Sequence, residues 1–160
     1  MSRIICGFEP FFQITSRVLV LGSFPSVKSR DIGFYYGNPQ NRFWKVLSEY
    51  FGESAGTLVN EKKDFLQKHG VALWDVVYEC EIQGSSDASI RKYIRADVEK
   101  VIKESAVELV LLNGVTAKKI YLEGQVESVP YLLMPSTSPA NPRFDKSIWF
   151  GALDTVFAKK

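Results

Sequence analysis

At 160 residues, with 46% hydrophobic and 24% charged side chains, the chain has the size and composition of one soluble domain with a real core. A net charge of +2, from 20 Lys and Arg against 18 Asp and Glu, neither demands nor forbids a nucleic-acid partner. No apolar run approaches the ~20 residues of a membrane span, and the opening MSRIICGFEPFF, interrupted by Glu9, is too short in apolar residues for a signal peptide. A cytoplasmic protein with no membrane partner is expected. Cys6 and Cys80 fit no metal-ligand or iron–sulfur spacing and read as reduced, packed thiols.

In the first twelve residues Phe8, Phe11 and Phe12 are expected to pack on the core. Val18-Leu19-Val20-Leu21, stopping at Gly22, predicts a short buried strand. Gly22-Ser23-Phe24-Pro25-Ser26 then forms a tight loop. A polar stretch and the aromatic cluster Phe34-Tyr35-Tyr36 follow, and Gly37-Asn38-Pro39 turns the chain. Residues 41–51 place apolar side chains at 43, 44, 46, 47, 50 and 51, the spacing of a helix, with Asn41 as its N-cap.

Residues 52–60 read as loop and 61–68 as a short helix, ended by His69-Gly70 with Gly70 as the left-handed cap. His69 reads as a solvated helix-end residue with no catalytic role. VALWDVV, 71–77, predicts a second strand. Its one charge, Asp75, is costly to bury unless a partner or ligand waits. Residues 79–89 read as a long surface loop and 96–105 as a helix. A third strand over 107–112 ends at Asn113-Gly114, and a helix over 115–122 is stopped by Gly124. A fourth strand over 131–134 runs into PSTSPANP, and an amphipathic helix over 147–158 closes the chain.

Strands alternating with helices imply a single α/β domain over residues 1–160: three layers, α/β/α, around a central, mainly parallel four-stranded sheet. Each strand ends in a polar or turn-forming segment: Gly22-Ser23, Asp75, Asn113-Gly114 and residues 136–141. In a parallel sheet these ends meet at one edge, where open α/β sheets bind ligands. Lys28, Arg30, Arg42 and Lys45 flank the first loop, and Arg143 and Lys146 the last.

GSFPS after the first strand, YYGNPQNRFW after it and STSPAN after the last strand resemble, in that order, the uracil-DNA glycosylase superfamily. The resemblance is closest to its hypoxanthine-DNA glycosylase branch and spans essentially the whole chain. The NPxNRFW run is also similar to the mismatch-specific uracil glycosylases, and GVALWDVV followed by SSDASI resembles the base-reading strand. The resemblance implies a hydrolase that flips a deaminated base, hypoxanthine first, out of DNA and leaves an abasic site; no Lys stands inside a matched motif, so monofunctional hydrolysis is expected rather than a lyase. Its partner would be DNA containing a damaged base; it would need no cofactor and no metal, and a monomer is the default.

Two positions depart from the family pattern. Most members place Asp, Asn or Glu where Phe24 stands, and His or Asn where Ser136 stands. In the hypoxanthine branch an Asn of the GNPxN segment takes over the attacking water, and it corresponds to Asn38. An amide can hold a water by accepting its hydrogen, though it cannot take a proton. The competing use of Asn38 is an Asx turn before Pro39. Tyr36 would stack on the extruded base, or be a core aromatic. Gly22, Ser23 and Phe24 complete the base pocket. An ionised Asp75 would accept the ring N–H of hypoxanthine, with discrimination against adenine shared among other groups; otherwise it caps a loop or pairs with a lysine.

Ser26, Ser136, Ser138, Pro139 and Asn141 would approach DNA phosphates, the serines otherwise being turn formers. Arg143 and Phe144 fall where the family carries its wedge; otherwise Phe144 folds onto the surface. Three alternatives stand beside this function: a uracil or mismatch-type glycosylase, a non-catalytic lesion-binding module, and a protein acting on free nucleosides. Against the last stands the lack of a GxGxxG or GxxxxGK[ST] phosphate loop.

Overall fold

The structure, a computed structural model, describes residues 3–82 and 90–158. The elements are β1 (Arg3–Cys6), β2 (Val18–Gly22), α1 (Val27–Ile32), α2 (Phe43–Phe51), α3 (Val59–His69), β3 (Val71–Asp75) and β4 (Val77–Ile82). After them come β5 (Ile90–Arg95), α4 (Val98–Lys103), β6 (Leu109–Asn113), α5 (Val115–Glu123), β7 (Tyr131–Met134) and α6 (Lys146–Phe157).

Val18, Leu19, Val20 and Leu21 of β2 are all fully buried, so both faces of the strand are out of water. A parallel strand of this kind needs cover on both sides. β2 lies inside a four-stranded sheet of order β3-β2-β6-β7, with every pairing parallel. α3 packs against β3, α5 against β6 and α6 against β7, giving the three-layer α/β/α arrangement. The register brings the strand ends into one row. Gly22 stands opposite Asp75, Leu21 opposite Leu112, and Asn113 opposite Met134.

A second sheet, antiparallel and of order β1-β4-β5, was not expected. The run 71–77, read as one strand, is split between two sheets. Val76 is the pivot: its N–H donates to the Gly22 carbonyl, and its own carbonyl accepts from Ala96 N–H. Residues 79–82, assigned to a loop, continue β4, and residues 83–89 lie outside those described. The opening residues 3–6, read as mixed, form β1. Phe8, Phe11 and Phe12 pack partly buried on the core, as expected.

Helix starts also shift. The polar stretch after the first loop contains α1, capped by Ser26, whose Oγ accepts from Ser29 N–H. α2 begins at Phe43 with Arg42 at the cap position, while Asn41 Oδ1 accepts from Phe43 N–H at 3.0 Å. α3 begins at Val59, before residue 61, because Glu61 Oε1 turns back to accept from the N–H groups of Thr57 and Leu58. Gly70 ends α3 in the left-handed region, φ 73°, as expected. Cys80 is buried, but Cys6 is exposed and donates its thiol to Glu79. His69 is not solvated: its ring stacks on Phe51 with centroids 4.2 Å apart. Among the described residues no helix is long and apolar enough to cross a membrane.

Candidate active site

The row of strand ends opens into a cleft of about 430 Å³, within the range of small-molecule sites, about 300–1,000 Å³. Its floor is Gly22 at the end of β2, Ser23 just past it and Asp75 of β3. The Gly22 and Ser23 carbonyls accept from Val76 and Val77 N–H at 2.9 and 3.1 Å, which fixes the turn beside Asp75. Asp75 is 5% exposed. Gly22 has to be bare: a Cβ there would lie 2.7 Å from Asp75 Oδ1 and 3.2 Å from Tyr36 Oη.

The first wall is aromatic. Phe24 lines the cleft with the Arg30 guanidinium 5.7 Å from its ring. Tyr36 lies on Phe43, ring centroids 4.2 Å apart, and its backbone takes φ 52°, a left-handed geometry uncommon outside glycine. Trp44 Nε1 donates to the carbonyls of Tyr35 and Tyr36, both at 3.2 Å. Ser29, buried on α1, accepts Gly37 N–H at 2.9 Å and so anchors the residue before Asn38. Asn38 Oδ1 accepts from Gln40 N–H at 3.0 Å. The Asx turn therefore forms, and it holds the Asn38 amide in the cleft lining. One lone pair of Oδ1 is left for a further donor.

The second wall is polar. Asn113, at the end of β6, donates from Nδ2 to Thr137 Oγ1 and accepts Thr137 N–H, both at 3.0 Å. Arg42 crosses from the first wall to the second. Its N–H donates to Thr137 O, its Nη1 donates to Ser138 O at 3.3 Å and to Asn141 O at 3.0 Å, and its guanidinium lies 4.9 Å from the Phe144 ring centre. Asn141 Nδ2 donates to Ser136 O.

A family model, that of the uracil DNA glycosylase superfamily, matches residues 9–151. The chain belongs to the uracil DNA glycosylase superfamily. It is 34% identical over 146 residues to a hypoxanthine DNA glycosylase of Methanosarcina acetivorans, and 30% identical to one of Methanosarcina barkeri. Each alignment covers 88% of this chain and 90% of the relative. A solution NMR structure of a candidate uracil DNA glycosylase from Methanosarcina acetivorans superposes with a TM-score of 0.81 at 30% identity, covering 96% of this chain and 98% of that one. At the level of the family, the chain is a DNA glycosylase.

In this superfamily member the residues singled out in sequence fall into two groups. Gly22, Ser23, Phe24, Ser26, Tyr36, Asn38, Asp75, Ser136, Ser138 and Pro139 line the one cleft. Asn141, Arg143 and Phe144 do not line it. Asn141 braces the second loop, Arg143 is exposed beside it, and Phe144 is partly buried on the core under Arg42. The serines cap and turn as well as line: Ser26 accepts Ser29 N–H, Ser136 accepts Ser138 N–H and Ser138 accepts Ala140 N–H.

Ser29, Tyr35, Asn41, Asn113 and Thr137 line the cleft without having been singled out as site residues. Asn113 was within reach, being the polar residue that ends an apolar strand, as Asp75 does. Among the described residues no group of three or more His, Cys, Asp or Glu side chains is placed to hold a metal.

Proposed function

We propose that this glycosylase works as a single domain that flips hypoxanthine out of DNA and hydrolyses its N-glycosidic bond, leaving an abasic site. The observation that carries the reading is the pairing, in one cleft, of a buried carboxylate at the floor, Asp75, with a fixed amide in the lining, Asn38. Two relatives named hypoxanthine DNA glycosylase support the choice of base.

The extruded base enters between Phe24 and the Tyr36 side, and Asp75 accepts its ring N–H. Asn38 Oδ1 accepts one hydrogen of a water and aims the oxygen at C1′. The C1′–N9 bond breaks, the electron pair leaves with the base, the water oxygen bonds to C1′, and solvent takes up and returns the protons. A weak but well-aimed nucleophile suffices because positive charge develops on the sugar before attack. No lysine is among the described residues lining the cleft, which supports hydrolysis over an imine-forming lyase. Ser26, Ser136, Ser138 and Pro139 sit where the flanking phosphates pass, braced by Asn141. Arg143 and Phe144 follow as the segment that meets the vacated stack. Uracil is the second substrate in this reading, favoured by the likeness to the solved candidate uracil DNA glycosylase.

Base release from oligonucleotides containing deoxyinosine or deoxyuridine tests the proposal. The unmodified protein should free hypoxanthine, and Asn38→Ala should slow release by about 100-fold or more. No release from either substrate would overturn it.

A further inference from the structure

The phenol of Tyr36 is held in an unusual way. One face of its ring is taken by Phe43, its carbonyl is tied to Trp44, and its backbone is held at φ 52°. The result brings the hydroxyl to the floor of the cleft, where it and Asp75 Oδ1 both close on Gly22, 3.2 and 2.7 Å from where a Cβ would stand. Tyr36 Oη is buried, yet the described residues offer it no hydrogen-bond partner. The Asn113 amide, itself tied to Thr137, acts on the phenol in the opposite sense to burial, as a donor toward its oxygen. Burial first, then the Asp75 charge, push the phenol's pKa well up, so at neutral pH the oxygen carries its proton and is a donor. An unmet buried hydroxyl destabilises the protein. Strained backbone and orphaned polar groups cluster where a ligand supplies what is missing.

We propose that Tyr36 is a specificity-determining residue that donates its hydroxyl hydrogen to the carbonyl oxygen of the extruded base, while Asp75 accepts the N–H beside that carbonyl. The inference rests on reading the cleft as the base site of a glycosylase. It replaces ring stacking by Tyr36 with an edge contact, and leaves the apolar wall to Phe24. The pair reads a lactam edge, an N–H next to a C=O, and so a substrate class. Hypoxanthine, xanthine and uracil carry that edge. Adenine and cytosine, in the same pose, reverse both contacts: an amino group meets the hydroxyl hydrogen, and a ring-nitrogen lone pair meets the carboxylate. The discrimination against adenine that Asp75 cannot supply alone thus comes from Tyr36. Guanine shares the lactam edge, and its exclusion falls to the cost of extruding a well-paired base.

Tyr36→Phe keeps the ring on Phe43 and removes only the hydroxyl. Three readouts are compared with the unmodified protein: single-turnover release from a deoxyinosine oligonucleotide, binding of free hypoxanthine and of free unsubstituted purine, and thermal unfolding without ligand. Release and hypoxanthine binding should each weaken by about 10–100-fold. Binding of purine, which has no carbonyl, should stay within twofold. The melting temperature should hold or rise, because an orphaned hydroxyl has gone. Unchanged hypoxanthine binding in Tyr36→Phe, equal losses for both free bases, or loss of binding together with a lowered melting temperature would each overturn the proposal. Absence of release by the unmodified protein, with hypoxanthine bound and weakened in Tyr36→Phe, would instead strike at the glycosylase reading and leave Tyr36 as the lactam reader.

Discussion

On the side of β2 and α2 the cleft is walled by rings; on the side of β6 and β7 it is walled by amides and hydroxyls. Tyr36 rests on Phe43, and Phe43 meets Trp149 edge-on at 6.1 Å, so the first wall is continuous with the core. The second wall hangs on directed bonds: Asn113 to Thr137, Asn141 to Ser136, and Arg42 to the carbonyls of Ser138 and Asn141. Packing is dense but has no preferred direction, so it suits a surface that must stay flat and dry. Hydrogen bonds fix orientation, so they suit a loop that presents backbone and hydroxyls to phosphates. The two walls should therefore fail differently.

The largest effect is expected on the aromatic side. Phe43 is fully buried and carries Tyr36 on its face. Phe43→Ala should destabilise the fold by ~3–5 kcal/mol, read by denaturant unfolding, and should lower base release in step with the folded fraction lost. A loss under 1 kcal/mol would mean that the aromatic wall is not coupled to the core as the geometry implies. On the polar side, Arg42→Ala removes two charge-assisted bonds and the stacking on Phe144, and should cost ~1.5–3 kcal/mol. Its signature should be kinetic. The second loop loses its tie to the first, so kcat should fall by a larger factor than the stability change alone produces, while Phe43→Ala behaves mainly as a folding lesion. Equal kcat losses per unit of stability lost would erase the distinction between the walls.

The aromatic wall was more legible in the sequence than the polar one, and the reason is physical. An apolar run and a ring cluster are local signals, and so the buried strand β2 and the cleft-lining rings of Phe24 and Tyr36 were marked by the sequence. The polar wall depends on contacts between residues such as Asn113 and Thr137, 24 positions apart, or Arg42 and Asn141, 99 apart. No local pattern announces them. The split at Val76 was hidden for a similar reason: its neighbours are apolar on both sides, and the change of sheet is dictated by its bonds to Gly22 and Ala96. α1 was missed because one short polar turn has too few apolar positions to show a period. The strand ends were legible because a parallel sheet turns four separate polar stops into one edge, and Gly22, Asp75, Asn113 and residues 136–140 do meet at one cleft.

The smallest expected effect probes the back of the aromatic wall. There α3 sets Lys62 Nζ 5.1 Å from the Trp44 ring centre and Lys63 Nζ 5.6 Å from that of Phe34. The first turn of α3 is held by Glu61, whose carboxylate accepts Leu58 and Thr57 N–H; these bonds hold its pKa below the usual carboxylate value. A carboxyl depressed in the folded state contributes stability above its unfolded pKa of about 4.3, and loses it as pH falls through the lower folded value. Asp145, bonded to Ser147 at the start of α6, is depressed in the same direction. Glu61→Gln should therefore lower the melting temperature slightly at pH 7, and the gap should narrow as pH falls through the lowered native pKa. Glu61 is exposed, so the shift should be small and should shrink further with added salt. If the gap between the two proteins did not narrow at all as the pH was lowered, the helix start would depend on the shape of the side chain rather than its charge. The aromatic wall would then be braced by packing at its back as well as at its face.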